Sequence, residues 1–256
     1  DEPGGVVGEV ERFLAERAAA AEAAGVRRVV HVSSLTTLIG RRRTREPITV
    51  DETTRLAPEE MLGPYPLSKH RAEAVMEDAG REAGLEVVVA IPTLPLGPGD
   101  RGLTGPTKML LDLLEGRTPA TVSCLFDFID VGALADALIA ACEKGAAGER
   151  YILGGAAMEM SEFLAAVTRV TGVKTPSATV PYWVAYLAGA VDEWMATNIR
   201  KRPPTAPLTG VRTSGRKVRF DASKAKRELG LSVPPFEETL KSASDWLAAE
   251  GYWRRS

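Results

Sequence analysis

Two textures of apolar residues alternate along the first hundred positions. Residues 9–24 are almost wholly strong helix formers, and Gly25 behind them suits a C-terminal stop. The next stretch, Val26–Val32, is short and β-branched, reads as a strand, and delivers Ser33 and Ser34 to its carboxyl end. Residues 40–60 are polar and read as a long loop, and a helix is expected from about Leu67 to Ala83. A second strand, Leu85–Ile91, is an unbroken apolar run, as expected when both faces of a sheet are covered. Helix, strand, helix, strand with such runs predicts an α/β fold with a doubly wound, parallel sheet.

Beyond Pro92–Asp100 the pattern shifts. Helices are expected near residues 107–116, 132–143, 161–170, 181–198, 223–229 and 237–250, with short strands at Phe126–Val131 and Arg150–Leu153. Residues 101–256 therefore read as a smaller, mostly helical lobe whose short strands return to the sheet built by residues 1–100. There is no internal repeat and no low-complexity segment.

Composition narrows the function classes. The 256 residues are 45% hydrophobic and 26% charged with a formal charge of −2, which argues against a dedicated nucleic-acid binder and against a disordered chain. Two cysteines, Cys124 and Cys142, exclude a disulfide scaffold and a four-cysteine metal site. Two histidines without a cysteine or carboxylate cluster speak against a transition-metal centre. No stretch approaches eighteen uncharged apolar residues, and the first residues are neither a signal peptide nor an initiating Met, so no integral membrane segment and a cytoplasmic location are expected.

The stretch that carries chemistry is Gly63–Glu73. Tyr65 and Lys69 are four apart and share one helix face. A phenol is a poor acid–base catalyst at neutral pH, and an ammonium one turn away favours the phenolate. A hydroxyl at a strand end, Ser34, would orient the substrate oxygen that Tyr65 protonates or deprotonates, with Thr36 the fallback. Such a set suits proton transfer coupled to hydride transfer at a carbonyl or alcohol carbon.

Taken together, Val29–Ser34, Tyr65-Pro-Leu-Ser-Lys69 with Ala72-Glu73, and Ile91–Pro98 resemble an extended short-chain dehydrogenase/reductase of the NAD-dependent epimerase/dehydratase family. The likeness is greatest to the hopanoid-associated sugar epimerase and dihydroflavonol-reductase-like branch. It extends through Phe126–Val131, Gly148–Gly155 and Phe220–Gly230 and covers nearly all of residues 9–250. The resemblance implies a Rossmann-like NAD(P)-binding domain, of which residues 1–100 are the C-terminal part, and a substrate-binding lobe over residues 101–256. It implies Ser34 as the orienting hydroxyl, Tyr65 as the acid/base, and Lys69 as the cation beside it that also contacts the nicotinamide ribose. Pro92 and Thr93 would lie beside the nicotinamide of NAD or NADP, and a homodimer would form through the Tyr-Lys helix.

Three departures stand against that pattern. The family's Gly-x-x-Gly-x-x-Gly turn approaches the cofactor pyrophosphate through backbone amides. Here Gly5-Val-Val-Gly8 keeps two of the glycines with Glu11 at the third position, and it reads as a loop and helix start. The family order implies roughly 70–90 residues ahead of Val26–Val32 that this sequence does not contain. The family's Asn-x-x-Gly-Thr is not recognisable in residues 8–14, and its Val-Asp-Asp helix start is Val131-Gly132-Ala133, expected to weaken a cap.

The remaining candidates have structural readings beside functional ones. His31 is expected to be structural and His70 to face solvent. Arg200-Lys201-Arg202 with Arg212, Arg216, Lys217 and Arg219 reads as a solvated basic face or as a grip on the phosphate of a nucleotide sugar. Val180–Val191 reads as a buried helix, or as a wall of an apolar substrate pocket or a membrane contact. Members that dehydrate carry Asp-Glu after the strand-end hydroxyl; Leu35-Thr36 here disfavours dehydration and leaves epimerisation and ketone reduction open. The expected function is an NAD(P)-dependent oxidoreductase or epimerase acting on a sugar or other carbonyl/alcohol small molecule. The alternative is a non-catalytic or truncated relative with a binding or structural role.

Overall fold

The computed structural model describes residues 3–43, 46–82, 84–195 and 212–254. Helix α1 (Pro3–Ala23) leads into strand β1 (Arg28–Val32), a 3-10 turn at Leu35–Leu38 and the short strand β2 (Ile48–Val50). Helix α2 (Pro64–Glu82) follows, then β3 (Glu86–Pro92) and β4 (Leu94–Leu96). The later part contributes α3 (Gly105–Leu114), β5 (Leu125–Asp130), α4 (Val131–Lys144), β6 (Arg150–Leu153), β7 (Ala156–Glu159) and α5 (Met160–Thr171). Last come α6 (Tyr182–Met195), β8 (Val218–Phe220), α7 (Ser223–Glu228) and α8 (Phe236–Ala249).

β3 lies between β1 and β6, all parallel, with Val32 beside Ala90 and Pro92 beside Leu153. This register levels the carboxyl ends, so Ser33-Ser34 and Pro92-Thr93 emerge side by side. Val87 to Ile91 are essentially without solvent exposure. A Cβ on Gly80 of α2 would meet Val87, and one on Gly145, just past α4, would meet Val88. Consecutive strand residues face opposite sides, so helices cover both faces of the sheet, which is the reason for the unbroken apolar run. Burying each of these Val and Ile side chains contributes about 1.5–3 kcal/mol.

A second core forms in the lobe around Phe128, Phe163 and Phe236, whose rings are 5.1–6.0 Å apart centre to centre. It joins β4, β5 and β7 to α3, α5 and α8, and both free cysteines lie in the later part, Cys124 buried and Cys142 exposed. Among the described residues no helix is long and apolar enough to cross a membrane.

Several local expectations are corrected. α2 starts at Pro64 rather than near Leu67, because proline in the first turn loses no helical hydrogen bond; Tyr65 is thereby helical. The polar loop contains β2, which pairs with β8 some 170 residues later in the chain, Ile48 beside Val218 and Val50 beside Phe220. The start of α4 is well capped: the Asp130 carboxylate, just before Val131, accepts from Gly132 N at 2.9 Å and Ala133 N at 3.0 Å. Gly5-Val-Val-Gly8 lies inside α1 rather than in a loop. Arg200-Lys201-Arg202 and the last part of the expected 181–198 helix lie outside the described residues.

Candidate active site

α2 carries Tyr65, Lys69 and Glu73 at four-residue intervals, which puts them on one side of the helix, and Lys69 and Glu73 reach the end of β1. Lys69 Nζ donates to the carbonyl of Val32 at 3.0 Å, two residues before Ser34. Tyr65 is 52% exposed, and among the described residues its hydroxyl makes no hydrogen bond to Ser34. Ser34 is nearly buried and caps the 3-10 turn, its Oγ accepting from Thr36 N at 3.3 Å and Thr36 Oγ1 at 3.0 Å. That leaves the Ser34 hydroxyl proton available for donation.

Beneath this pair is a buried ion pair that the sequence did not announce. Glu73 accepts from Arg150 at 2.8 Å, from Thr37 Oγ1 at 2.8 Å and from Ser33 Oγ. Arg150 also donates to the backbone carbonyls of Glu52 and Thr54 at 3.0 and 2.9 Å. Both side chains are almost solvent-free, at 4% for Arg150 and 6% for Glu73. One carboxylate thus ties α2 to the Ser33–Thr37 loop and to β6, which fixes how Tyr65 and Lys69 stand over the strand ends. The available signal was the third step of the Tyr65, Lys69, Glu73 spacing.

His31 is buried on β1, and its Nε2 has no partner among the described residues. Burial first and the Lys69 ammonium second push its pKa below the ordinary 6.5, with Glu73 and Glu77 opposing. Folding therefore holds a neutral imidazole, while the unfolded chain binds a proton near pH 6.5. The stability this contributes is present above that pH and is lost as pH falls below it toward the lowered folded value. Melting temperature is expected to fall from about pH 7 to about pH 5.5 more steeply in the wild type than in His31→Leu. Identical slopes would contradict this role.

At the next strand end, Thr93 is buried, its amide and hydroxyl 3.0 and 3.3 Å from the Leu153 carbonyl. Asp127 lies beside it, buried, accepting from Gly155 N at 2.9 Å. Burial pushes its carboxyl above the usual range, opposed by the Gly155 amide and the Thr93 hydroxyl. Thr93 therefore turns its side chain into the protein and offers backbone at this edge.

Two side-chain expectations change. His70 does not face solvent: Nε2 lies 2.8 Å from the Leu56 carbonyl and Nδ1 is buried. The segment Val180–Val191 is not a buried helix, since Trp183, Leu187 and Val191 are each more than half exposed along one side of α6. Their four-residue spacing puts them on one outward face. His31 is buried on β1. No group of three potential metal ligands occurs among the described residues.

A parallel sheet helix-covered on both faces, with hydroxyls and a Tyr-Lys pair at its carboxyl edge, defines a Rossmann-like α/β protein, a class of fold whose ligands sit at that edge. The sequence profile of the NAD dependent epimerase/dehydratase family matches residues 14–154, and the chain belongs to that family. Over 238 residues it is 32% identical to a Synechocystis protein named as a proposed dihydroflavonol 4-reductase, spanning 91% of this chain and 68% of that one. The crystal structure of gox2253 superposes with a TM-score of 0.82 at 28% identity, covering 99% of this chain and 76% of the other. A nucleoside-diphosphate-sugar epimerase from Pseudomonas aeruginosa does so with 0.74 at 26% identity, covering 93% and 72%.

The family is NAD-dependent, and the residues at the sheet edge suit the nicotinamide end of that cofactor. Lys69 keeps donors beyond the one given to Val32, and Tyr65 beside it is open to solvent. Residues 3–23 are helical and supply no backbone cradle for a pyrophosphate.

Proposed function

We propose that the protein interconverts an alcohol and a carbonyl on a small molecule, either as an epimerase or as a ketone reductase. The observation that carries this reading is the anchoring of Lys69 on the last residue of β1, with Tyr65 one helical turn before it and Ser34 two residues beyond its acceptor. Bound NAD or NADP supplies the hydride acceptor or donor. Tyr65 takes the proton from the substrate hydroxyl during oxidation and returns it during reduction. Lys69, held by the Val32 carbonyl, stabilises the phenolate by its charge and reaches the nicotinamide ribose. Ser34 donates to the substrate oxygen and sets its distance from Tyr65. Pro92 and Thr93 bound the nicotinamide face through their backbone. Residues 1–100 then hold the cofactor's reactive end and residues 101–256 the substrate.

Substrate is the open variable, between a sugar such as a nucleotide sugar and a more apolar ketone. The reading is tested with NAD and NADP against a panel of nucleotide sugars, alcohols and ketones, following nicotinamide absorbance and product stereochemistry together. Net oxidation or reduction identifies a reductase. Inversion without net cofactor turnover identifies an epimerase that retains its oxidised intermediate. Cofactor binding with neither outcome across the panel would sink the proposal in favour of a binding role.

A further inference from the structure

A groove of about 990 Å3 opens where the loop after the 3-10 turn, the approach to α2, and α6 with the turn at residues 212–216 come together. Its charge is one-sided. Among the described lining residues, Arg41 and Arg43 come from the loop, Arg71 from α2, and Arg212 and Arg216 from the lobe, against one carboxylate, Glu59. Arg71 has a loose ion pair with Glu11 at 3.8 Å, and among the described residues no carboxylate pairs with the other four. The rest of the wall is apolar or aromatic, with Leu62 and Leu67 on one side and Tyr182, Trp183 and Tyr186 of α6 on the other.

These parts are built together. The Arg43 guanidinium lies 4.0 Å from the centre of the Tyr182 ring, within cation–π range. Gly215 packs so closely on the same ring that a Cβ there would fall 2.3 Å from it. Arg216 donates to the Arg41 carbonyl at 3.0 Å and to the Arg212 carbonyl, and its Nε is buried without a partner among the described residues. Burial lowers the affinity of Arg216 for its proton, and Arg43 and Arg212 add to this while Tyr182 opposes it. Like charges gathered in a half-buried space repel one another, and a bound anion relieves the repulsion while accepting bidentate hydrogen bonds.

The polar side chains available decide which anion. Base edges and ribose hydroxyls are read by amides, hydroxyls and carboxylates. Among the described lining residues these amount to Glu59 and the two Tyr hydroxyls, and the whole chain has a single amide side chain, Asn198, and no Gln. Apolar and aromatic surface is plentiful by contrast. We propose that this groove binds an anionic amphiphile, its phosphate or carboxylate head held by Arg43, Arg212 and Arg216 and its apolar body laid along Leu67, Tyr186 and Trp183, in preference to a nucleotide. Leu67 and Arg71 project from the side of α2 turned away from Tyr65 and Lys69, at 3.6 residues per turn, so the site does not depend on the role given to Tyr65. The amphiphile is either a substrate whose reacting end reaches round the start of α2 or an effector that does not react.

The test is calorimetry on the intact protein with decyl phosphate, decanol and uridine diphosphate, each below any micelle concentration and at one ionic strength. Decyl phosphate is expected to bind at least about tenfold more tightly than either of the others. Trp183→Ala and Arg71→Gln should each weaken it several-fold. Arg71 is exposed, so its variant should keep the wild-type melting temperature and separate lost binding from lost structure. Tighter binding of uridine diphosphate, equal binding of decanol, or no change in both variants would overturn the proposal. Once a turnover assay exists, competitive inhibition by decyl phosphate marks a substrate and non-competitive inhibition an effector; both need the groove occupied.

Discussion

Tyr65→Phe is expected to lower turnover by about 10²–10⁴-fold while leaving the affinity for NADH or NADPH nearly unchanged. The substitution removes one oxygen and keeps the ring. That ring is 52% exposed on the first turn of α2, and among the described residues its hydroxyl has no hydrogen bond to Ser34, so the change gives up no such partner. Stability should move by less than about 0.5 kcal/mol. On the proposed reading, what disappears is the group that exchanges a proton with the substrate oxygen. Parallel measurement of melting temperature, cofactor binding and turnover separates this from a structural effect. Lys69→Met gives the complementary result: the Val32 carbonyl loses its donor, the phenolate loses its neighbouring charge, and both rate and cofactor affinity fall. A Tyr65→Phe protein that still turns over at a substantial fraction of the wild-type rate would remove Tyr65 from the mechanism.

Glu73→Ala should cost about 3–5 kcal/mol, because it leaves the Arg150 guanidinium buried without its carboxylate. In a chain of this size that is a drop in melting temperature on the order of 10 °C. The loss is one of broken pairing. Removing both charges together, in Glu73→Leu with Arg150→Met, should restore much of the stability, since a buried ion pair is often replaceable by apolar groups of similar volume. The same double variant should stay catalytically impaired, because Ser33 and Thr37 no longer share an anchor with the helix that carries Tyr65 and Lys69. A single variant that melts with the wild type would show that the pair contributes little, and a double variant with full activity would show that it does not position the site.

Much of this site was legible in the chain. Tyr65 and Lys69 could be placed on one helix face, and Ser34 and Thr93 at strand ends, from spacing and β-branched runs alone. The side-chain settings were not. Thr93 turned inward onto the Leu153 carbonyl, Ser34 became a turn cap, and His70 was claimed by the Leu56 carbonyl rather than by water. Thr93 and His70 meet backbone carbonyls and Ser34 a backbone amide with its hydroxyl, Thr36; every residue carries such backbone groups, and no side-chain pattern marks which one will be near. Val180–Val191 misled for a different reason: a continuously apolar helix looks the same whether its outward side meets protein or solvent.

By itself the sequence determined the order of helices and strands, the parallel class of the sheet and the Tyr-Lys pair, because these follow from local periodicity and from steric preferences that act over a few residues. Tertiary structure alone decided that Glu73 meets Arg150 across 77 positions, that β2 pairs with β8, and that arginines from the loop, α2 and the lobe converge on one groove. Those meetings come from the packing of whole elements. Whether a charge ends beside an opposite charge, a like charge or water is set by that packing and leaves no trace at the charge's own place in the sequence.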